Sequence, residues 1–274
     1  MFLTEFRAGG ITLGSILFCS LFFSSVLTGQ TATLTIVPQA APAEPGSTAT
    51  ATVTVEGSSA VSGFSFGLAH DPSILTLFST GVVAGADLAA TRGGAGPEFL
   101  VISVFPTGFT MGAVINVNAA GTDLAANTAH NVAAISYSVS PTAPSGGTPL
   151  AFTEALGTPP VALSVGMGLE FVEPPTIVEA SLFTSPPFIR GDINQTGAVT
   201  ISDAIGVLAQ LFAGLPMTCP AASDVNDTGS VNVADAIAIL AYLFQSGAPP
   251  AAPAGTCGLP AVPSTLDCQS FSCP

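Results

Sequence analysis

Twelve residues from Asp192 to Asp203, DINQTGAVTISD, return thirty-two positions later as DVNDTGSVNVAD, from Asp224 to Asp235. Each copy has an acid at position 1, Asn at 3, Thr at 5, Gly at 6 and an acid at 12. A chain carrying this pattern must close a tight loop at Gly197 and again at Gly229, because glycine tolerates the sharp turn that a Cβ obstructs. The oxygens so gathered suit a hard cation, which takes six to eight of them at about 2.3–2.6 Å. Two calcium sites are therefore expected.

The repetition continues beyond the loops. Asp203-Ala204-Ile205 recurs as Asp235-Ala236-Ile237, Leu208-Ala209 as Leu240-Ala241, and Leu211-Phe212 as Leu243-Phe244. Ile201, Ile205, Leu208 and Phe212 fall at helical spacing, as do Val233, Ile237, Leu240 and Phe244. The spacing predicts a helix behind each loop, with these stripes packed on one another. Gly214 and Gly247, followed closely by prolines, are expected to stop the helices.

Over Ile189 to Gly247 the chain resembles a type I dockerin, the paired loop-helix, EF-hand-like module that docks into cohesin domains. The resemblance implies calcium ligands at Asp192, Asn194, Thr196 and Asp203, and at Asp224, Asn226, Thr228 and Asp235. It also implies backbone carbonyls at position 7, from Ala198 and Ser230, and water-mediated contacts at position 9, from Thr200 and Asn232. Position 5 is usually Asp in the family. Thr there removes one negative charge per site and is expected to weaken affinity. Loop positions 10 and 11, often a hydroxyl pair, are Ile201-Ser202 and Val233-Ala234. Leu208-Ala209 and Leu240-Ala241 stand where the family often has basic residues, a departure from the usual reading of a standard cohesin.

Residues 1–30 read as a secretory signal peptide, basic at Arg7 and apolar from Ile11 through Leu27, with cleavage expected between Gly29 and Ala32. An uncleaved anchor is the alternative, since the apolar run approaches spanning length. Beyond the leader there is no lysine, the arginines are Arg92 and Arg190, and the formal net charge of the whole chain is −14. Such a surface repels nucleic acid and anionic lipid. Four cysteines remain, Cys219, Cys257, Cys268 and Cys273, and in an exported chain they suggest two disulfides. The pairing preferred is Cys219–Cys257 with Cys268–Cys273. A four-thiolate zinc site is the rival, although no CxxC spacing supports it.

Residues 31–182 have another character. Ala49, Ala51, Val53 and Val55 interleave with Thr50, Thr52, Thr54 and Glu56; Phe64, Phe66 and Leu68 interleave with Ser65 and Gly67. Ala133, Ile135, Tyr137 and Val139 repeat the period of two. This alternation, with frequent turn residues, predicts an antiparallel β-sandwich. The order of features, with the phrase GFSFGLAHDPSILTL at Gly63–Leu77, is similar to a cohesin domain. The expected fold is thus mainly β plus a small α module: a cohesin-like sandwich, a linker at 183–188, a dockerin-like module at 189–248 and a Pro/Cys-rich tail at 249–274 folded back over the helices. The whole arrangement resembles planctomycete-type secreted proteins.

No active site is expected. His70 beside Asp71 reads as a turn, His130 lacks an evident partner, and Glu170 and Glu173 read as edge charges near a Pro-Pro turn. Phe64, Phe66, Phe99 and Phe105 read as core. Arg190-Gly191-Asp192 spells an adhesion tripeptide, but Asp192 is required by the first loop. The expectation is a secreted, non-catalytic calcium-binding protein for extracellular assembly or surface attachment, with a cohesin/dockerin-type partner or a second copy of itself. A carbohydrate-binding accessory role in polysaccharide degradation is the alternative. The sandwich architecture allows it, although the chain has no Trp and its tyrosines are Tyr137 and Tyr242.

Overall fold

The structure is a computed structural model that describes residues 29–117, 123–168, 170–262, 264–266 and 268–274. Nearly all of the expected leader, with Cys19, lies outside the described residues.

Strands β1 (Ala32–Pro38), β2 (Thr48–Gly57), β3 (Gly63–Ala69) and β4 (Leu75–Ala84) are followed by a kinked helix, α1 (Ala86–Gly94). Then come β5 (Phe99–Phe105), β6 (Gly108–Val114), β7 (His130–Val139), β8 (Gly146–Thr153), β9 (Ser164–Met167), β10 (Glu170–Val172), β11 (Thr176–Val178) and β12 (Ala180–Thr184). They form two sheets, one ordered β11-β1-β2-β7-β4 and the other β10-β9-β3-β6-β5, with β8 joining β3 to β12. Between these strands the pairing is antiparallel except at β1–β11, where Thr33–Thr35 runs alongside Thr176–Val178. That parallel pair closes one edge of the first sheet.

Period-two alternation produces this packing directly. Along β2, Ala49, Ala51, Val53 and Val55 are buried while the threonines and Glu56 face outward. Where β2 meets β7 the register slips between Val53 and Thr54, so Val132 and Ala133 are both buried, as a β-bulge requires. In the second sheet Phe66 sits at the centre of the aromatic core. Its ring centroid lies 5.8 Å from those of Phe64 and Phe152 and 5.9 Å from that of Phe109.

Two expectations for phenylalanine fail. Phe99 is 63% exposed and Phe105 only half-buried. Both belong to β5, the edge strand of its sheet, and an edge strand lacks a neighbour on one side to cover its residues. The expected linker is also shorter than 183–188, because β12 continues through Phe183 and Thr184, paired with Gly147 and Gly146 of β8.

The C-terminal module holds α2 (Ile201–Phe212), the single turn α3 (Pro220–Ser223) and α4 (Val233–Phe244), with α2 packed on α4. The predicted stripes are not the ones that meet. Ala204, Val207, Ala236 and Ile239 are buried between the helices, supported by Leu208, Leu211, Leu240 and Leu243. Ile201, Ile205 and Phe212, with Val233, Ile237 and Phe244, face solvent instead. Each helix carries two apolar stripes, and the pair packs on the one that includes Ala204 and Ala236. The helix stops also differ. Gly214 takes the left-handed conformation after α2, but after α4 that position falls on Ser246, thirty-two residues on, rather than on Gly247.

The disulfides are Cys219–Cys268 and Cys257–Cys273, not the pairs preferred from sequence. The path of the tail explains the exchange. Gly258 pairs with Phe188 through two backbone hydrogen bonds, which holds Cys257 beside this stretch of chain, and the Sγ of Cys273 lies at the same stretch, 3.4 Å from the Pro187 carbonyl. Cys219 and Cys268 are buried together with Phe188, Ala221 and Ala222.

Candidate metal centre

Each loop is built on backbone hydrogen bonds to its terminal carboxylates. In the first, Asp192 Oδ1 accepts from the Thr196 N–H at 3.0 Å and Oδ2 from the Gly197 N–H at 2.8 Å. Asp203 closes the loop from the other end. Its Oδ1 accepts from the Asn194 N–H at 3.0 Å, and its Oδ2 from the Thr200 N–H and hydroxyl at 2.8 and 2.9 Å. Asp203 thereby also caps the start of α2, where a carboxylate is stabilised by free backbone N–H groups.

The second loop repeats the geometry. Asp224 accepts from Thr228 and Gly229 at 3.0 and 2.8 Å. Asp235 accepts from Val225 at 2.9 Å, Asn226 at 3.3 Å and Asn232 at 2.8 Å. Gln195 and Asp227 at position 4 and Gly197 and Gly229 at position 6 all have left-handed backbone. These turns bring the chain round a point in both copies.

All twelve expected ligand residues therefore lie on two compact loops. The Thr196 hydroxyl is 2.8 Å from Asn194 Oδ1 and 3.5 Å from the Ala198 carbonyl, and the Thr228 hydroxyl is 3.4 Å from the Ser230 carbonyl. Position 9 also serves the helix. Thr200 bonds to Asp203, while Asn232 accepts from the Ala234 N–H at 2.9 Å as the cap of α4. Among the described residues no three His, Cys, Asp or Glu side chains converge on one point. Each loop places two carboxylates at its expected ligand positions, with Asp227 of the second loop outside that set, and the other expected donors are amide, hydroxyl and carbonyl oxygens. Such an all-oxygen set suits a hard cation rather than zinc.

Two observations test the fit. Asp192, Asp203, Asp224 and Asp235 are all fully buried, and buried charge is ordinarily paired or bound to metal. Two divalent cations would balance these four carboxylates. In the second loop, the inward atom of the Asn226 amide lies 2.9 Å from Thr228 Oγ1, 3.1 Å from Asp224 Oδ1 and 3.2 Å from Asp235 Oδ1. With nitrogen at that position, the amide donates and the loop closes on itself. With oxygen there, four oxygens face one another, and a cation among them relieves the conflict. The residues fit calcium.

Several neighbours of the loops were not anticipated. Arg190 is fully buried, as is Asp192, so the tripeptide Arg190-Gly191-Asp192 is not presented for adhesion. The tail lies over both loops. Ser272 donates its N–H to Gln195 Oε1 at 2.8 Å, Thr265 Oγ1 lies 3.4 Å from the Gly229 carbonyl, and Pro274 stands where a Cβ on Gly197 would fall. The sequence predicts a tail folded back over the helices; these contacts place it on the loops.

The other titratable candidates remain apart from this centre. His70 is buried edge-on to Tyr137, with ring centroids 5.2 Å apart, and among the described residues neither ring nitrogen has a hydrogen-bond partner. Burial holds its pKa below the ordinary value, against the opposing pull of the Pro106 carbonyl and Asp71. Asp71 accepts from the Ser73 N–H and hydroxyl in the turn expected of it. His130 does have neighbours, Asp87 Oδ2 at 3.9 Å and the Ala125 carbonyl at 3.0 Å. Glu170 and Glu173 are exposed.

No family model matches this sequence, and no curated protein matches it. Solved structures do match. A chain of the type I cohesin–dockerin complex Coh-OlpA–Doc918 from Clostridium thermocellum is 16% identical with a TM-score of 0.43, over 56% of this chain and 99% of that chain. A chain of the complex between the third cohesin of ScaC and the ScaB dockerin from Acetivibrio cellulolyticus is 17% identical with a TM-score of 0.42, over 55% and 98%. The non-cellulosomal cohesin of the archaeon Archaeoglobus fulgidus is 13% identical with a TM-score of 0.39, over 56% and 91%. These are distant likenesses of β architecture.

Proposed function

We propose that this chain is a secreted, non-catalytic assembly protein whose C-terminal module binds two calcium ions and docks to a protein partner. The pair of loops carries the reading, with four buried carboxylates in two equivalent frames and a donor set made wholly of oxygen. In each copy the position-12 aspartate both closes the loop and caps the following helix, so metal binding and helix position are linked.

Those helices offer a surface. Ile201, Ile205 and Phe212 are 51%, 59% and 75% exposed, and their counterparts Val233, Ile237 and Phe244 are 42%, 59% and 68% exposed. Three large apolar side chains repeated at equivalent places suit a partner with an apolar face. The partner class that fits is a cohesin-type β-sandwich, a second copy of this chain included. The two disulfides suit an oxidising, extracellular setting. Among the described residues no helix is long and apolar enough to cross a membrane.

Sedimentation of the leaderless chain in calcium and in chelator tests the reading. Concentration-dependent association in calcium, dissolved by chelator and abolished by Ile205→Asp with Ile237→Asp, is the expected result. Calorimetry that detects no calcium binding would sink the metal assignment. A calcium-loaded chain that stays monomeric at all concentrations would exclude self-docking. Retention on insoluble polysaccharide, independent of calcium and of Ile205, would favour the carbohydrate-binding role instead.

A further inference from the structure

Arg190 joins the two loops without belonging to either. Two residues after it the chain enters the first loop at Asp192. Its side chain runs the other way, to the second loop. Nη1 donates to the carbonyl of Asp224, the first residue of that loop, at 2.6 Å, and to the Ala221 carbonyl at 3.0 Å. Nη2 lies 2.9 Å from Asp227 Oδ1, close enough for an ion pair but not aligned as a hydrogen bond. Nε donates to the Ala252 carbonyl at 3.2 Å, and the guanidinium stands 5.5 Å from the centre of the Phe188 ring. A second tie runs alongside, from the Gly191 N–H to the Ala222 carbonyl at 2.9 Å.

A fully buried guanidinium is costly to desolvate, and an apolar residue of similar size often serves stability as well. Its geometry gives it another use. Asp192 is held by the Thr196 and Gly197 N–H groups, and a cation drawing on Asp192 fixes the backbone at Gly191. That backbone sets where the Arg190 fork meets the Asp224 carbonyl and the Asp227 carboxylate. The planar fork transmits position rather than charge alone, because its donors have fixed directions.

We propose that Arg190 is the positioning residue that couples the two calcium loops, so that filling either one raises the affinity of the other. The inference rests on the calcium reading above. Coupling is reciprocal by linkage, and couplings between sites in proteins typically amount to about 5–150-fold.

The test uses the leaderless full chain, with calcium alone as ligand. Asp192→Ala empties the first loop and Asp224→Ala the second, each leaving one site to titrate by itself. The coupling factor is the product of the parent's two stepwise association constants divided by the product of the two single-loop constants. A factor of about 5 or more in the parent, falling to near 1 with Arg190→Met, is expected. Asp227→Asn, which changes only the exposed end of the linkage, should give an intermediate factor and keeps the test decisive if Arg190→Met does not fold. General loosening of the module lowers every constant and largely cancels from the ratio. Independent sites in the parent, or an unchanged factor in Arg190→Met or Asp227→Asn, would overturn the proposal. Absence of any calcium binding is a separate outcome, the failure of the metal reading itself.

Discussion

The sandwich and the C-terminal module solve the problem of holding a chain together in different ways. The sandwich buries one continuous apolar core, from Leu34 and Val53 to Phe66, Phe109 and Leu182. Among the described residues the module has two small clusters, and its interior also contains four aspartates, one arginine and a disulfide. An apolar core needs nothing from outside. A polar interior depends on its partners, since each buried charge left unpaired is costly. The sandwich should therefore answer to packing and the module to metal and redox state.

The largest effect is expected in the sandwich. Phe66→Ala removes a fully buried ring packed against three others and should cost about 3–5 kcal/mol. Denaturant unfolding followed by probes in each region checks it: loss from the sandwich transition supports the contrast, and equal loss from both would merge the two regions. Next comes the Cys219–Cys268 link, whose partners are 49 residues apart. Cys219→Ala with Cys268→Ala should cost the module about 2–4 kcal/mol. It should also weaken calcium binding, because the tail it anchors lies on both loops. A variant with unchanged calcium affinity would show that the tail only covers the loops.

The smallest effect returns to the sandwich. His70 is neutral and buried, and its folded pKa lies below 6.5, so below that pH the unfolded chain binds more protons. The stability this lends is complete above about pH 6.5. It should decline on acidification through that value, by at most about 1.4 kcal/mol per pH unit, until the lowered folded pKa is reached. Thermal melts between pH 7 and 5 should show this slope, and His70→Phe should flatten it. The same slope in the variant would assign it to another group.

Local patterns were the legible part of this chain. The oxygen-bearing loop residues follow one another within twelve positions, so composition and order are enough to gather them. The β2 alternation is legible for the same reason, since successive side chains must point to opposite faces. Phe99 illustrates the limit: its strand reads like any other, and its exposure follows from lying at a sheet edge. The helices illustrate another. Each had apolar residues enough for two stripes, and only the packing of α2 on α4 made Ala204 and Ala236 the buried choice over Ile205 and Ile237.

Periodicity and spacing are properties of a few neighbouring residues, and they were sufficient for the strands, the two loops and the helix behind each. The disulfide exchange, the tail lying over the loops and the buried place of Arg190 depend on residues 16 to 86 positions apart meeting in space. No local rule carries that information, because which distant groups meet is decided by how the whole chain packs. Arg190 spells with its neighbours a tripeptide that the sequence reading sets aside without giving the arginine a place, and in the folded chain its side chain reaches from the entry of the first loop to the second.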